Sequence, residues 1–276
     1  MSTPYQPFES RDTVLAYQRG AELRSRLLGD ATRRMLERAR LRAGSRVLDV
    51  GTGPGVTAVL AAENVGPGGS VMAIDASDEM IVHATDRVRK SGHDHVEVRR
   101  MDGGALELEE ETFDAIIGRN SMQFLPEWPN PLRGFLRVLR PGGWLSFLVW
   151  DIRELNRYFS LPATVAIELG LLRVPMDALR VAYRLSHAPL EAQLQDAGFQ
   201  DVRVEQVHGE VLTNDRELLL TYCRDSPGYQ LIIGELNDEE KARYDTGVAD
   251  GLELFRDGAG YRIETMSRVA SGRRNG

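Results

Sequence analysis

Val47-Leu48-Asp49-Val50-Gly51-Thr52-Gly53-Pro54-Gly55 leads into a helix-compatible segment over residues 56–64, and an acidic residue, Asp75, follows twenty positions after Gly55. A short apolar run that opens into three glycines at alternate positions has the pattern of a buried parallel strand ending in a tight turn under a helix N-terminus. Glycine serves there because a side chain would hold the backbone away from a ligand, and because some turn positions require positive φ. The spacing differs from that of a dinucleotide fingerprint. That fingerprint reads G-x-G-x-x-G, whereas the position three after Gly53 is Val56 and the series here is D-x-G-x-G-x-G. A dinucleotide needs backbone N–H groups aimed at a pyrophosphate.

Outward from this loop, strands and helices alternate. Residues 11–28 and 30–41 read as two helices, with Asp30 as N-cap of the second. Residues 46–50 form the first strand and 56–64 its crossover helix; Gly66-Pro67-Gly68-Gly69 is a turn. The second strand, 71–75, ends on Asp75, and Ser77 caps a helix over 78–90. Strands follow at 96–100, 113–117 and 144–150, with a helix at 130–139 that stops at Pro141-Gly142-Gly143. Five alternations predict an α/β, doubly wound parallel sheet. Beyond it, 152–187 reads as helical and irregular, broken by Pro162, Pro175 and Pro189. A helix at 190–197 closes on Gly198, 201–207 is a strand, 214–256 is mainly helical, and 261–269 is the last strand before a disordered polar tail.

Composition narrows the function classes. The chain has 276 residues, 42% of them hydrophobic, enough for a sizeable core, and its net charge of −7 argues against a nucleic-acid partner held by bulk electrostatics. Of its 34 basic residues only Lys90 and Lys241 are lysines, and the basic stretch over 19–46 is interrupted by Glu22, Asp30 and Glu37, as on a solvated helix face. One cysteine, Cys223, leaves no internal disulfide and no thiolate-rich metal site. No metal constellation is evident. No segment has the roughly twenty apolar residues of a membrane span, the first residues lack a secretory pattern, and a cytoplasmic location is the expectation.

By residue 150 the chain resembles the core of the class I S-adenosyl-L-methionine (SAM) methyltransferases in order and spacing. It is similar to the branch that contains ubiquinone/menaquinone-biosynthesis methylases and small-molecule (methyltransferase type 11-like) enzymes. The residues that carry this are 47–55, Ala73-Ile74-Asp75, Met101-Asp102-Gly103, Thr112-Phe113-Asp114-Ala115-Ile116-Ile117 and Leu136-Arg137-Val138-Leu139-Arg140-Pro141-Gly142-Gly143. Leu194-Gln195-Asp196-Ala197-Gly198-Phe199 resembles the junction before a sixth strand. The resemblance implies a Rossmann-like, seven-stranded sheet whose last, antiparallel strand is inserted between the fifth and sixth. It divides the chain into an N-terminal helical cap (1–42), a SAM-binding core (43–151), a helical substrate-side insert (152–187), the rest of the core with additional helices (188–270) and a tail (271–276).

It also implies roles. Asp49, Gly51, Gly53 and Gly55 would lie against the methionyl part of SAM, and Asp75 would accept both ribose hydroxyls. Asp102 would accept from the adenine amino group, with the Gly103 N–H meeting a ring nitrogen. The backbone of Arg119 and the side chain of Gln123 would sit near the donor, and Thr52, Ala76 and Met80 complete the contacts. The methyl group of a sulfonium is already activated, so the protein acts mainly by holding donor and acceptor together in a dry cavity. A base is needed only where the acceptor must lose a proton, and His187 is the one histidine retained for that role. Tyr17 with Gln18, and the insert with Tyr158, Tyr183 and Trp150, are the candidates for contact with the acceptor.

The expected partner is a small, apolar or aromatic methyl acceptor; a homodimer is compatible with the chain. Other readings stay open: a nucleotide-dependent oxidoreductase by its glycine loop, a non-catalytic SAM-fold regulatory module, or a protein or RNA methylase. The arsenite branch, which uses several reactive cysteines, fits poorly with Cys223 alone.

Overall fold

The structure, a computed structural model, describes residues 15–16 and 19–276. Helices α1 (Ala21–Leu27) and α2 (Gly29–Arg38) precede β1 (Arg46–Val50), α3 (Val56–Val65), β2 (Ser70–Asp75), α4 (Asp78–Ser91), β3 (Val96–Arg100) and β4 (Phe113–Arg119). Then come α5 (Pro131–Val138), β5 (Leu139–Trp150), α6 (Arg157–Glu168), α7 (Met176–Arg180), α8 (Leu190–Asp196) and β6 (Phe199–Thr213). The chain closes with α9 (Arg216–Arg224), α10 (Pro227–Ile233), α11 (Asp238–Gly251), β7 (Arg256–Asp257) and β8 (Gly260–Arg274).

The sheet runs β3-β2-β1-β4-β5-β8-β6, with the two-residue β7 paired to the start of β8. Strands β1 to β5 are parallel, and β8 lies antiparallel between β5 and β6. The placement of the last strand, antiparallel between β5 and β6, is the one the resemblance implied. Alternation along each strand builds two cores. Leu48, Val50, Ile74, Ile116 and Phe147 pack toward α5 and α8. Val47, Ala73, Ala115, Ile117 and Leu148 pack toward α2 and α3. A third cluster joins α6, α9, α10 and α11 to Leu23, Leu27 and Ile263, forming a helical layer over one end of the sheet. No helix among the described residues is long and apolar enough to cross a membrane.

Four details differ from the sequence reading. Asp30 lies in the first turn of α2 instead of capping it, because the helix starts at Gly29; a carboxylate there still faces the positive end of the helix dipole. Pro162 sits inside α6. Packing of the buried Leu161, Ala163, Val165 and Ala166 outweighs the hydrogen bond that proline removes, and the Pro162 carbonyl accepts the Tyr244 hydroxyl at 3.1 Å. Strand β6 extends well past residue 207 because β8 offers it a partner as far as Thr213. The expected disordered tail from 271 is instead strand as far as Arg274, where Gly272 pairs with Leu145 and Arg273 with Trp144. Ser271 is buried, and a Cβ on Gly272 would stand 2.8 Å from the Phe199 Cβ, so small residues are what let this stretch close the sheet.

Candidate functional site

Strands β1 and β4 lie side by side, yet β1 leads back to β2 and β4 leads on to β5. Such a divergence opens a crevice beyond the strand ends. Here it has a volume of about 630 Å³ and is walled by residues 50–54, 75–80, 100–103, 119–121 and 123–126, with Val181 and Arg184 from the insert above.

The loop after β1 comes close to this space. Gly51 and Gly53 both have left-handed backbones, with φ of 66° and 56°. A Cβ on Gly51 would collide with Ser121, while one on Gly53 would meet no atom within 4 Å, so Gly53 presents bare backbone to the crevice. Gly55 packs elsewhere, against Ala84 of α4. Asp49 is fully buried and lies outside the crevice wall, as a strut beneath the loop. Its Oδ2 accepts the Thr52 and Thr57 hydroxyls, each at 2.7 Å, and the Thr52 N–H donates to the Ile74 carbonyl at 2.9 Å. Its Oδ1 is buried with no hydrogen-bond partner among the described residues.

Asp75 stands in the wall at the tip of β2, where Oδ2 accepts the Gly53 N–H at 2.9 Å and Oδ1 the Ser77 N–H at 3.0 Å. Each oxygen keeps a second lone pair for a ligand. Capping of α4 falls to Ser77, whose hydroxyl accepts the Met80 N–H at 3.3 Å, so Asp75 is not needed as the cap. Ala76 is exposed on the wall and Met80 is buried beneath it. Asp102 is exposed, its Oδ1 accepting the Gly104 N–H at 2.8 Å, and Gly103 packs so closely on Val50 that a Cβ would stand 2.6 Å from Cγ1. Arg119 and Gln123 line the floor, and the Oε1 of Gln123 is buried without a partner among the described residues.

A second chamber, about 170 Å³, shares Asn120, Gln123, Phe124 and Val181 with the crevice. Its far walls are Trp150, Phe159, Tyr183 and Tyr222, with Arg24 and Asp225 at the edge. Trp150 and Phe159 meet at 4.5 Å between ring centroids. Asp225 is held by the Arg19 guanidinium through two hydrogen bonds of 2.6 and 2.8 Å. The insert therefore reaches the crevice through Val181 and Arg184 and the chamber through Tyr183, and neither through Tyr158. Tyr158 is fully buried in the helical layer, donates its hydroxyl to the Leu219 carbonyl at 2.7 Å and lines neither cavity.

His187 is exposed and lies outside both cavities, so the structure gives it no place as a base. Arg268 fixes the carbonyls of Leu185, Ser186 and Ala188 at 2.8–3.1 Å, and this clasp turns the intervening side chain outward. Tyr17 and Gln18 fall outside the described residues.

Known proteins agree with this geometry. A family described as a methyltransferase domain matches residues 47–143, the stretch that builds the crevice. This stretch of the chain belongs to that methyltransferase-domain family. An arsenite methyltransferase of Halobacterium salinarum is 32% identical over 60% of this chain and 40% of its own length. A ubiquinone/menaquinone biosynthesis C-methyltransferase of Cronobacter sakazakii is 28% identical over 64% of this chain and 74% of its own. The phosphoethanolamine N-methyltransferase 2 of Haemonchus contortus, solved with S-adenosylhomocysteine, shares the fold at a TM-score of 0.58 and 20% identity, covering 96% of this chain and 58% of that one. The chain thus spans less than half of the first of these relatives.

The chemistry of the crevice wall fits SAM. Bare backbone at Gly53, a wall carboxylate with spare lone pairs at Asp75 and a buried amide oxygen at Gln123 with no partner among the described residues offer what a ribose and a zwitterionic amino-acid moiety require. Sequence reasoning missed Asn120 and Tyr222. Tyr222 comes from α9, whose buried residues show an inward face without showing which of them border a cavity.

Asp49 yields a pH prediction. Burial pushes its carboxyl up to about 6; the Thr52 and Thr57 hydroxyls and then Arg119 oppose that, and Asp75 adds to it. The folded chain therefore holds this proton more tightly than the unfolded chain does. The resulting stability is present below about pH 4 and is lost as pH rises through about 6. Asp49→Asn keeps an oxygen for both hydroxyls and removes the buried charge. Without ligand it is expected to melt like wild type at pH 4 and higher at pH 7.5, by on the order of 3 kcal/mol. Thermal unfolding at the two pH values checks this, and a lower melting temperature at pH 7.5 would mean that Arg119 fully compensates the charge.

Proposed function

We propose that this chain transfers a methyl group from SAM to a small, apolar or aromatic metabolite held in the 170 Å³ chamber. The observation that carries this reading is the junction itself. A polar crevice fit for the donor and an aromatic chamber share the residues 120, 123, 124 and 181. When bound, SAM supplies a methyl group already activated on its sulfonium.

The protein's part is binding, orientation and exclusion of water. Gly53, Asp75, Ala76 and Met80 hold the donor's ribose side, Asp102 and Gly103 its adenine end, and the β4 loop at Arg119 and Gln123 faces its reactive end. Asp49 and Thr52 keep the loop in shape from below. Trp150, Phe159, Tyr183 and Tyr222 enclose the acceptor side with apolar surface. Burial keeps the Tyr183 phenol protonated far above its usual range, so it serves as a wall and not as a base. A small molecule, as opposed to a nucleic acid, accords with the net charge of −7 and with the chamber's size.

A compound screen with SAM, read as release of S-adenosylhomocysteine, tests the proposal; release that no added small molecule increases would refute it. With an acceptor in hand, Tyr183→Ala is expected to raise the acceptor KM roughly tenfold, the scale of one lost apolar side-chain contact, and to leave the SAM KM within twofold. Equal losses for both ligands would reduce Tyr183 to a packing role. Tyr158→Ala should instead lower stability by about 3–5 kcal/mol, as truncation of a core aromatic does.

A further inference from the structure

Asn120 is, with Gln123, one of two carboxamides at the meeting point of the two cavities, and it differs from Gln123 in having both amide atoms buried and unpaired among the described residues. It lines both the crevice and the chamber. Both its amide oxygen and its amide nitrogen are buried with no hydrogen-bond partner among the described residues. Leaving both ends of a carboxamide unpaired is costly for folding, and such a group is characteristic of a place where a ligand completes the bonding. Its backbone is also fixed in the left-handed region, at φ 50°, a conformation that asparagine tolerates better than most residues.

The neighbours hold it there. The Asn120 N–H donates to the Leu148 carbonyl of β5 at 2.9 Å, and the Ser121 hydroxyl donates to the Val50 carbonyl of β1 at 2.6 Å. The turn after β4 is thus tied to the strands on both sides, which presents the carboxamide in one orientation.

The chemistry around it limits what it can do. Among the described residues that line the chamber, the carboxylate is Asp225, engaged by Arg19, and the Tyr183 phenol is held protonated. No histidine is among them. A carboxamide neither takes nor gives a proton at neutral pH, but it accepts up to two hydrogen bonds and donates two. It suits an acceptor atom that carries its own O–H or N–H. The chamber's volume of about 170 Å³ is close to that of a cavity that admits a single benzene ring.

We propose that Asn120 positions the methyl-accepting atom by hydrogen bonding, and that the acceptor is a compact, single-ring molecule bearing a hydroxyl or amino group. This rests on the methyltransferase reading and narrows it. It makes Asn120 a specificity determinant: a ring that presents only carbon to the junction leaves the amide unpaired and binds less well.

The test uses two probes of nearly equal shape, 4-fluorophenol and 4-fluorotoluene, followed by fluorine NMR. Each is titrated into the full chain at concentrations of S-adenosylhomocysteine that saturate the protein. The wild type is expected to bind the phenol about tenfold more tightly than the toluene, the order of one net hydrogen bond. Asn120→Gly tolerates the backbone angle while deleting the amide, and should bring the two probes to within twofold of each other. Asn120→Asp, which keeps an accepting oxygen, should restore the preference for the phenol. Equal affinities in wild type, binding of neither probe, or a preference that survives Asn120→Gly would each overturn the assignment. Saturation by S-adenosylhomocysteine is established first, so its absence would defeat the methyltransferase reading as well, whereas its presence with indifferent probes would defeat only this one.

Discussion

Asp75→Ala is expected to cost this protein most of its donor affinity, about 100-fold or more. The carboxylate stands at the tip of β2 with one N–H on each oxygen and a lone pair left on each. A ribose diol would add two charge-assisted hydrogen bonds, each worth about 1.5–3 kcal/mol. The substitution also releases the Gly53 N–H from its 2.9 Å bond, so the loop loses its anchor along with its ligand contact. Calorimetric titration with S-adenosylhomocysteine measures the effect. Asp75→Asn, which retains one accepting oxygen, should fall between the two proteins. Affinity within twofold of wild type in Asp75→Ala would remove the residue from the donor site.

Gly53→Val should abolish donor binding within the measurable range and leave most of the fold in place. Two effects act together. At φ 56° a β-branched residue is strained by about 1–3 kcal/mol. Its side chain would also enter space where the protein has no atom within 4 Å, the space a ligand must approach. Gly53→Ala carries less bulk and is the companion variant. If Val unfolds the chain, Ala still reports, and its affinity should drop about tenfold or more by circular-dichroism-monitored melting shift with added S-adenosylhomocysteine. Unchanged ligand-induced shifts in both variants would mean that the loop is not the donor cradle.

How much of this was legible in the sequence depends on how local the signal is. The run from Val47 to Gly55 announces strand, turn and helix because each residue's preference acts over a few neighbours, and the structure has β1 and α3 at those places. Ser77 as a cap and Asp75 at a strand tip were readable for the same reason. The end of the chain was not. Ser271 and Gly272 look like tail residues, and they become strand because β5 and β6, far away in sequence, flank them. Tyr158 and Tyr183 show the limit for the site. Both are aromatic residues of the same insert, yet the first is consumed by a bond to Leu219 and the second lines the chamber. Periodicity marks which face is buried, but whether it is buried against protein or beside a cavity is decided by packing between elements. Asn120 went unread for a similar reason: its amide is notable only because nothing among the described residues pairs with it.

The crevice beyond β1 and β4 is expected to be a SAM site and not a nucleotide site, its D-x-G-x-G-x-G loop lacking the third glycine of a dinucleotide fingerprint. Side-by-side calorimetry of the wild-type chain with S-adenosylhomocysteine and with NADH tests that most directly. One-to-one binding of S-adenosylhomocysteine and no measurable heat with NADH are the expected results. Saturable binding of NADH with none of S-adenosylhomocysteine would contradict it.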